Sequence, residues 1–376
     1  MSPTSPTFDD AVVGAGIIGL AHAFHLARQG RRVIVLERSP RACGASIRNF
    51  GMLWPIGQPT GGMHELALTS RKFWLEVLAA AELWHDPVGS LHLAYQEDEA
   101  QVLAEFVNLA GGGGYDCQLL TPREVASRSP AVKTTGLRAG LWSPHEICVD
   151  PREVIAKLPA WLEREFGVQF ESDCAVTGYD QPHVCAGGKQ WTAGRLFVCS
   201  GSDLHTLYPG AFADLGLLRC KLQMMRSQSL PGFRLGPMLA GGLTLRHYKN
   251  FQDCPTLSAV KARVAHQQPE FDRYGIHVMA SQNGAGELVI GDSHEYDDAI
   301  EPFDKPEIDQ LILDYLATFL DVPALKIAAR WHGIYVKHPR YPYVVARPAA
   351  GVTALGGAGM TLSMGLADHV LNTIER

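Results

Sequence analysis

A two-part α/β fold is predicted, with a Rossmann-like nucleotide-binding domain and an α+β domain built on a mostly antiparallel sheet. Three observations predict it. Residues 10–37, DAVVGAGIIGLAHAFHLARQGRRVIVLE, read as strand, glycine turn, helix, strand and terminal acid. Residues 88–96, 219–228 and 274–294 instead alternate apolar and polar side chains, the period of half-buried strands. The chain has 376 residues, 46% hydrophobic and 19% charged, enough for two cores.

Each part of the first unit has a physical task. Residues 11–13 are a short apolar strand, and Gly14, Gly16 and Gly19 supply G-x-G-x-x-G around Ile17 and Ile18. Gly14 permits the tight turn, Gly16 lets backbone approach a pyrophosphate, and Gly19 lets the helix lie close on the strand. The helix carries Leu20, Ala23, Phe24 and Ala27 and stops at Gly30. Its free N-terminal amides and partial positive charge suit phosphate. Glu37 closes the second strand 18 residues after Gly19 (37 − 19). It is placed to accept ribose hydroxyls and would repel a 2′-phosphate. A dinucleotide site is therefore expected.

The next stretch, RNFGMLWPIGQPTGG at 48–62, makes neither a good helix nor a good strand. Its glycines and prolines suit an irregular path packed against a flat group. It could bring Arg48, Asn49 or Gln58 near reacting atoms, although a salt bridge or a pyrophosphate contact explains Arg48 equally well. Further on, 274–294 reads as a hairpin turning at NGAGE. Residues 304–320 form an amphipathic helix with Ile308, Leu311, Ile312, Tyr315, Leu316 and Leu320 on one face. The last stretch, GVTALGGAGMTLSMGLADHVLNTI, is a strand, a glycine turn and a helix.

Composition narrows the function classes. The net charge is −6 and the chain has no basic tract, so nucleic acid is not an expected partner. The polar start MSPTSPTFDD lacks a leader's basic and apolar regions, and no run reaches the roughly 18 apolar residues of a membrane span. Eight scattered cysteines without a CxxC pair read as reduced thiols, and a cytoplasmic protein with no metal site is expected.

After Glu37 the chain reads ERSPRACGASIRNFG. This resembles the glycine oxidase, D-amino acid oxidase and sarcosine oxidase family, in which Glu-Arg is followed by GAS and a polar loop under a flavin. The resemblance implies non-covalent FAD, since the last cysteine, Cys254, precedes the C-terminal region that carries the covalent link in some members. It implies FAD contacts at Gly14, Gly16, Ile17, Ile18, Gly19, Glu37, Arg38, Ala45, Ser46, Asn49, Phe50 and Gly51. Further contacts are implied at Ala175 and Val176 on the adenine side, at Ser200 and Gly201 beside the dinucleotide, and at Gly357, Gly359, Met360, Thr361 and Leu362 under the flavin pyrimidine. The flavin-binding segments are expected at 1–85, 146–215 and 325–376, with the substrate domain at 86–145 and 216–324.

The same resemblance implies hydride transfer from an amine-bearing carbon to the flavin, followed by imine hydrolysis. Oxygen or another acceptor would then re-oxidise the flavin. Amino acid members anchor the substrate carboxylate with the arginine of a Gly-Leu-Arg-Pro motif. Here Gly333-Ile334-Tyr335 stands in that place, so the arginine is Tyr335. Basic residues nearby are Lys337, His338 and Arg340, with Arg246, His247, Lys249, His277 and His294 as further candidates. Several such donors suit a dianionic phosphonate better than one carboxylate. GASIRNFGMLWPIGQ and RWHGIYVKHP also resemble the branch associated with aminophosphonate breakdown. The expected substrate is accordingly 2-aminoethylphosphonate or its N-methyl form, giving phosphonoacetaldehyde. Arg48, Tyr335, Lys337, His247 and His277 are the expected catalytic-site residues. Glycine, sarcosine or a D-amino acid is the alternative. So is a 2-hydroxy acid, for which His247, His277 or His332 would serve as base, and so is a flavoprotein whose flavin serves a partner protein.

Overall fold

The computed structural model describes residues 7–346, 350–353 and 355–374. The strand Thr7–Val13 (β1) runs into the helix Ile17–Arg28 (α1), which returns to the strand Val33–Leu36 (β2). β1 and β2 pair in parallel, as a right-handed crossover through a helix requires. α1 is apolar on nearly every side because it is enclosed. β1 lies beneath it, and the helices Pro151–Phe166 and Gly359–Ile374 flank it. The turn before α1 explains two glycines. Gly14 has φ +96°, and a Cβ there would lie 2.5 Å from the Cys199 carbonyl oxygen. A Cβ on Gly19 would lie 1.9 Å from the Gly14 oxygen.

The first sheet has eight strands. Its main path runs Val176–Asp180, His183–Ala186, Lys189–Val198, β1, β2 and Gln169–Glu171. Ala350–Thr353 pairs in parallel with the end of Lys189–Val198, and Val344–Ala346 pairs with Ala350–Thr353. One charged group is sealed inside this sheet. Asp10 on β1 is fully buried, 2.6 Å from Arg195 Nε and in contact with the Arg31 guanidinium. Losing a buried carboxylate's charge-assisted hydrogen bonds to two partly exposed arginines costs ~1.5–3 kcal/mol. Asp10→Ala is thus expected to lower unfolding stability by about that amount in a denaturant titration of the FAD-loaded protein; an unchanged midpoint would refute it.

The second sheet has nine strands and is mostly antiparallel. Leu218–Ser229 is its longest strand, flanked by Glu287–Gly291, Glu295–Asp297 and Ile327–Lys337. The expected hairpin is present as Met279–Gln282 and Glu287–Gly291. The amphipathic helix Pro306–Phe319 covers one face with Ile308, Ile312 and Leu316 buried. A third, three-stranded sheet of Met52–Leu53, Ile147–Val149 and His85–Asp86 lies at the junction.

Two sequence expectations are corrected here. Residues 327–337, within the range expected for the flavin-binding segments, pair with residues 218–227 of Leu218–Ser229 and so lie in the second sheet. Residues 243–250, LTLRHYKN, whose order reads as an alternating strand with His247 on one side, do not form one. They form the 3-10 turns Gly242–Arg246 and Lys249–Phe251, with His247 and Tyr248 between them. The cause is close packing just upstream. A Cβ on Gly241 would lie 2.6 Å from the Tyr315 ring, and one on Gly242 would lie 2.3 Å from the Glu99 carboxyl. The strand Met238–Ala240 therefore ends where the chain is drawn against these groups. Among the described residues, no helix is long and apolar enough to cross a membrane.

Candidate active site

The nucleotide cradle is built at the C-terminal ends of β1 and β2. Gly16 caps α1 without a side-chain hydrogen bond, and an added Cβ there would meet only Ser46 Oγ, at 3.1 Å. The Ile17 amide donates to Ser46 Oγ at 3.0 Å, so the predicted serine sits directly on the helix N-terminus. Ile18, one residue on, offers its carbonyl to His22 Nδ1 at 2.7 Å. Glu37 accepts from the amides of Ala15, at 2.9 Å, and Ser39, at 3.0 Å, which places its carboxylate across the glycine turn. Residues 173–176 run beside it: the Cys174 amide donates to the Glu37 carbonyl, Val176 is buried and Ala175 is exposed. Arg38 reaches Asp203 at 2.9 Å, in the turn after Ser200 and Gly201. Ser200 Oγ donates to the Asp203 carbonyl and Thr353 Oγ1 to the Gly201 carbonyl, which fixes that turn against the first sheet.

The irregular loop follows Ala45 and Ser46. The Asn49 side chain donates to both of their carbonyls and accepts from the Gly51 amide at 2.8 Å. It holds the loop's shape. Ser281 of the second sheet donates to the Phe50 carbonyl at 2.7 Å, and the Trp54 amide donates to Thr361 Oγ1 at 2.9 Å. Buried Glu146 accepts from the Ile56 amide and Ser90, and burial pushes its carboxyl up from the usual range. The loop is thus clamped between the two sheets. Met360 is held as well, its carbonyl accepting from Trp74 Nε1 at 2.9 Å, and Leu362 is fully buried. Gly357 and Gly359, at the start of the last helix, have open space where a Cβ would be.

Strand Ile327–Lys337 faces this loop with alternate residues. Gly333 lies against Arg48, whose Nη1 donates to the His332 carbonyl at 3.2 Å. Tyr335 is buried on the same face, and burial followed by nearby Cys220 and Tyr296 pushes its hydroxyl pKa up. Lys337 ends the strand in a backbone bridge to Leu355, its stem beside Gly356 at the turn before the last helix. Its Nζ lies 3.4 Å from Tyr296 Oη, and burial, then the charge of Lys249, lowers its pKa.

Beside Tyr335 the structure gathers three histidines from three separate elements. The rings of His247 and His277 are 4.0 Å apart, those of His247 and His294 4.3 Å, and those of His277 and His294 5.0 Å. Their ring nitrogens lie within 4.8 Å of one another. His277 Nε2 lies 3.0 Å from Asp292 Oδ1, and His294 Nδ1 lies 3.1 Å from the Gly275 carbonyl. Burial is the first cause that lowers all three imidazoles, His294 to about 4, and their mutual repulsion adds to it. Burial also raises Asp292. The His277–Asp292 pair is therefore driven toward its uncharged form. Ring contacts run from Trp54 of the loop to Tyr248, on to His277 and His294, and from His294 to Tyr335 and Tyr296.

Of the expected catalytic-site residues, Tyr335, Lys337, His247 and His277 come together here, and Arg48 lies across Gly333 from them. Three other candidates are engaged elsewhere. His332 bonds Asp304 at 2.8 Å, His338 accepts from the amides of Arg340 and Tyr341, and Arg246 pairs with Asp272. Asp292, Tyr248 and Tyr296 are not among the residues that the sequence points to. Asp292 does carry a signal, an acid two residues before a histidine at the end of a predicted hairpin strand.

A family model described as DAO, FAD dependent oxidoreductase, matches residues 9–372. The chain belongs to this family. The residues present fit FAD: a helix N-terminus behind glycine with Ser46 on its first amide, an acid across the turn, and open glycines before the last helix. Among the DAO-family relatives, human mitochondrial sarcosine dehydrogenase is 26% identical over 179 residues, 47% of this chain and 19% of that protein. Glycine oxidase from Geobacillus kaustophilus is 28% identical over 159 residues, 40% of this chain and 42% of the enzyme. The matched part thus spans between a fifth and about two fifths of these relatives' lengths. The crystal structure of that glycine oxidase superposes with TM-score 0.79 at 20% identity, covering 99% of this chain and 95% of that one. FAD-bound L-α-glycerophosphate oxidase from Mycoplasma pneumoniae gives TM-score 0.75 at 15% identity, over 98% and 95%.

Proposed function

We propose that this chain oxidises a small amine bearing a phosphonate, 2-aminoethylphosphonate or its N-methyl form, to phosphonoacetaldehyde. FAD, when bound, supplies the hydride acceptor; the chain's own residues hold the amine and its anion in place. One observation carries the substrate reading. Tyr335 occupies the place where resembling enzymes carry their carboxylate-binding arginine, while Lys337, Lys249 and three imidazoles crowd the same region. Cations that depress one another are relieved by an anion, and a dianion relieves them more than a carboxylate does. Asp292, held toward its protonated form, opposes this very little. The region is also dry enough, to judge from the burial of His277, His294 and Tyr335, for each charge-assisted contact to count.

A second reading has support of its own. Relatives carry the names glycine oxidase and sarcosine dehydrogenase, and Arg48 lies against Gly333 where it could meet a carboxylate. Anaerobic bleaching of the flavin separates the two. With 2-aminoethylphosphonate, its N-methyl form, glycine, sarcosine and D-alanine in parallel, fast bleaching is expected from the phosphonates alone. Fast bleaching by glycine or sarcosine, with none from the phosphonates, would replace the first reading by the second.

A further inference from the structure

We propose that His247, His277 and His294 together form the receptor for the tetrahedral anionic end of the substrate, each imidazole donating to one of its oxygens. The inference rests on the phosphonate reading and deepens it, since that reading places the anion in a region of several cations and not on particular donors. It stands first on geometry. Zinc held by nitrogen at 2.0–2.1 Å requires ligand atoms about 3.3 Å apart. Three donors that each reach a separate oxygen of one oxyanion at 2.7–2.9 Å stand farther apart, roughly 4–5 Å. One nitrogen from each ring lies within 4.8 Å of the others, a spread that admits the oxyanion. The ring placement agrees, with two of the rings nearly parallel at 16° rather than converging on a point.

The surroundings point the same way. Lys337 brings an ammonium group toward His247 and His294, with Lys249 beside Lys337 in turn, which opposes a metal dication and favours an anion. With His277 Nε2 beside Asp292, His277 Nδ1 is a buried polar atom that no protein group satisfies. A buried donor left unmatched costs free energy, and a ligand oxygen would remove that cost. His294 Nδ1 faces the Gly275 carbonyl, which leaves Nε2 toward the cluster.

Protonation then follows from binding. In the free protein these imidazoles are neutral near pH 7, being buried and mutually repelling. The Nδ1–H of His294 is already given to the Gly275 carbonyl, so donating to an oxyanion through Nε2 means taking one proton from solvent, whereas His277, beside protonated Asp292, and His247 can donate from their neutral tautomers. The other charged and titratable groups around them are Asp292, Arg246, Lys249, Lys337, Tyr248, Tyr296, Tyr335 and Cys220. Arg246 is already neutralised by Asp272, and the tyrosines and Cys220 are held protonated by burial. Anion binding should therefore take up protons and weaken as pH rises, by about tenfold per pH unit for each proton taken up.

The test uses the FAD-loaded protein with ethanesulfonate, a tetrahedral anion with no amine to oxidise and no proton that titrates near neutrality. Binding is read from the flavin absorbance, and proton uptake from an indicator dye in weakly buffered solution. The receptor predicts uptake of about one proton per site at pH 7.5. His277→Gln and His247→Gln should each lose at least about tenfold in affinity while keeping full FAD content, one charge-assisted hydrogen bond being worth that much. The same two variants should raise the KM for 2-aminoethylphosphonate by a similar factor. Sulfonate binding without proton uptake, and with wild-type affinity in both variants, overturns the receptor. One equivalent of tightly held metal in the purified protein, lost in both variants, overturns it in favour of a metal centre. Bleaching by 2-aminoethylphosphonate with wild-type KM in both variants also overturns it, while leaving the substrate reading in place. No bleaching by any phosphonate removes both.

Discussion

Gly16→Val should give a folded, colourless protein. A Cβ at this position meets only the rotatable hydroxyl of Ser46, at 3.1 Å, so the fold can accept the side chain. The branched group would nevertheless stand in front of the first free amides of α1, where a phosphate must come within hydrogen-bond reach. Each charge-assisted hydrogen bond blocked there weakens binding by ~1.5–3 kcal/mol, or roughly 10–150-fold in FAD affinity. Blocking two of them leaves the purified protein without its cofactor. Gly19→Val makes the control, because its Cβ would fall 1.9 Å from the Gly14 carbonyl and must push helix from strand. That variant should fail to fold, whereas Gly16→Val should keep its far-ultraviolet circular dichroism and lose its 450 nm band. A yellow Gly16→Val protein with one FAD per chain would refute the placement of the pyrophosphate.

Lys337→Met should raise the KM for the phosphonate by roughly 10–150-fold, the worth of one hydrogen bond to a charged group, and should leave FAD content unchanged. Methionine keeps the apolar stem that lies beside Gly356 and Tyr296 and deletes only the ammonium group. The burial and the Lys249 charge that depress Lys337 also make it a group that gains from an arriving anion. If the effect is on binding, kcat should move less than KM, and sarcosine bleaching, if any, should be far less affected than phosphonate bleaching. A variant with wild-type KM for the phosphonate would take Lys337 out of the site.

The nucleotide cradle is readable from sequence because it is local. Strand, turn, helix, strand and acid lie within 28 consecutive residues, and each glycine has its own steric reason. Ser46 follows from the family resemblance and is found on the Ile17 amide. The histidine cluster cannot be read in the same way. His247 comes from an irregular turn, His277 from just before one strand and His294 from just after another, and no spacing rule joins them. Their meeting depends on the cross-strand register of His277 with Asp292 and on glycines that stop the chain at 241–242 from continuing as a strand. Asn49 shows the opposite case. Its place in the loop suggests a cofactor contact, and in the structure its side chain is spent on the loop's own backbone. The resemblance also misplaces residues 327–337, since a strand carries no mark in its sequence of which sheet it joins.

The strand pairing in the first sheet has a consequence for how the protein is made. β1 lies between β2 and Lys189–Val198, so one of its two neighbours is synthesised about 180 residues later than itself, as the pairing of Asp10 with Arg195 shows. At roughly 5–20 residues per second, β1 waits on the order of ten to forty seconds on the ribosome with one edge unpaired. The cradle waits longer still, because the Trp54 amide finds its partner only at Thr361. Contacts this distant in sequence close slowly. A cradle closed by Thr361 is complete only once the last described helix has been made, so FAD is expected to meet it as a nearly finished chain.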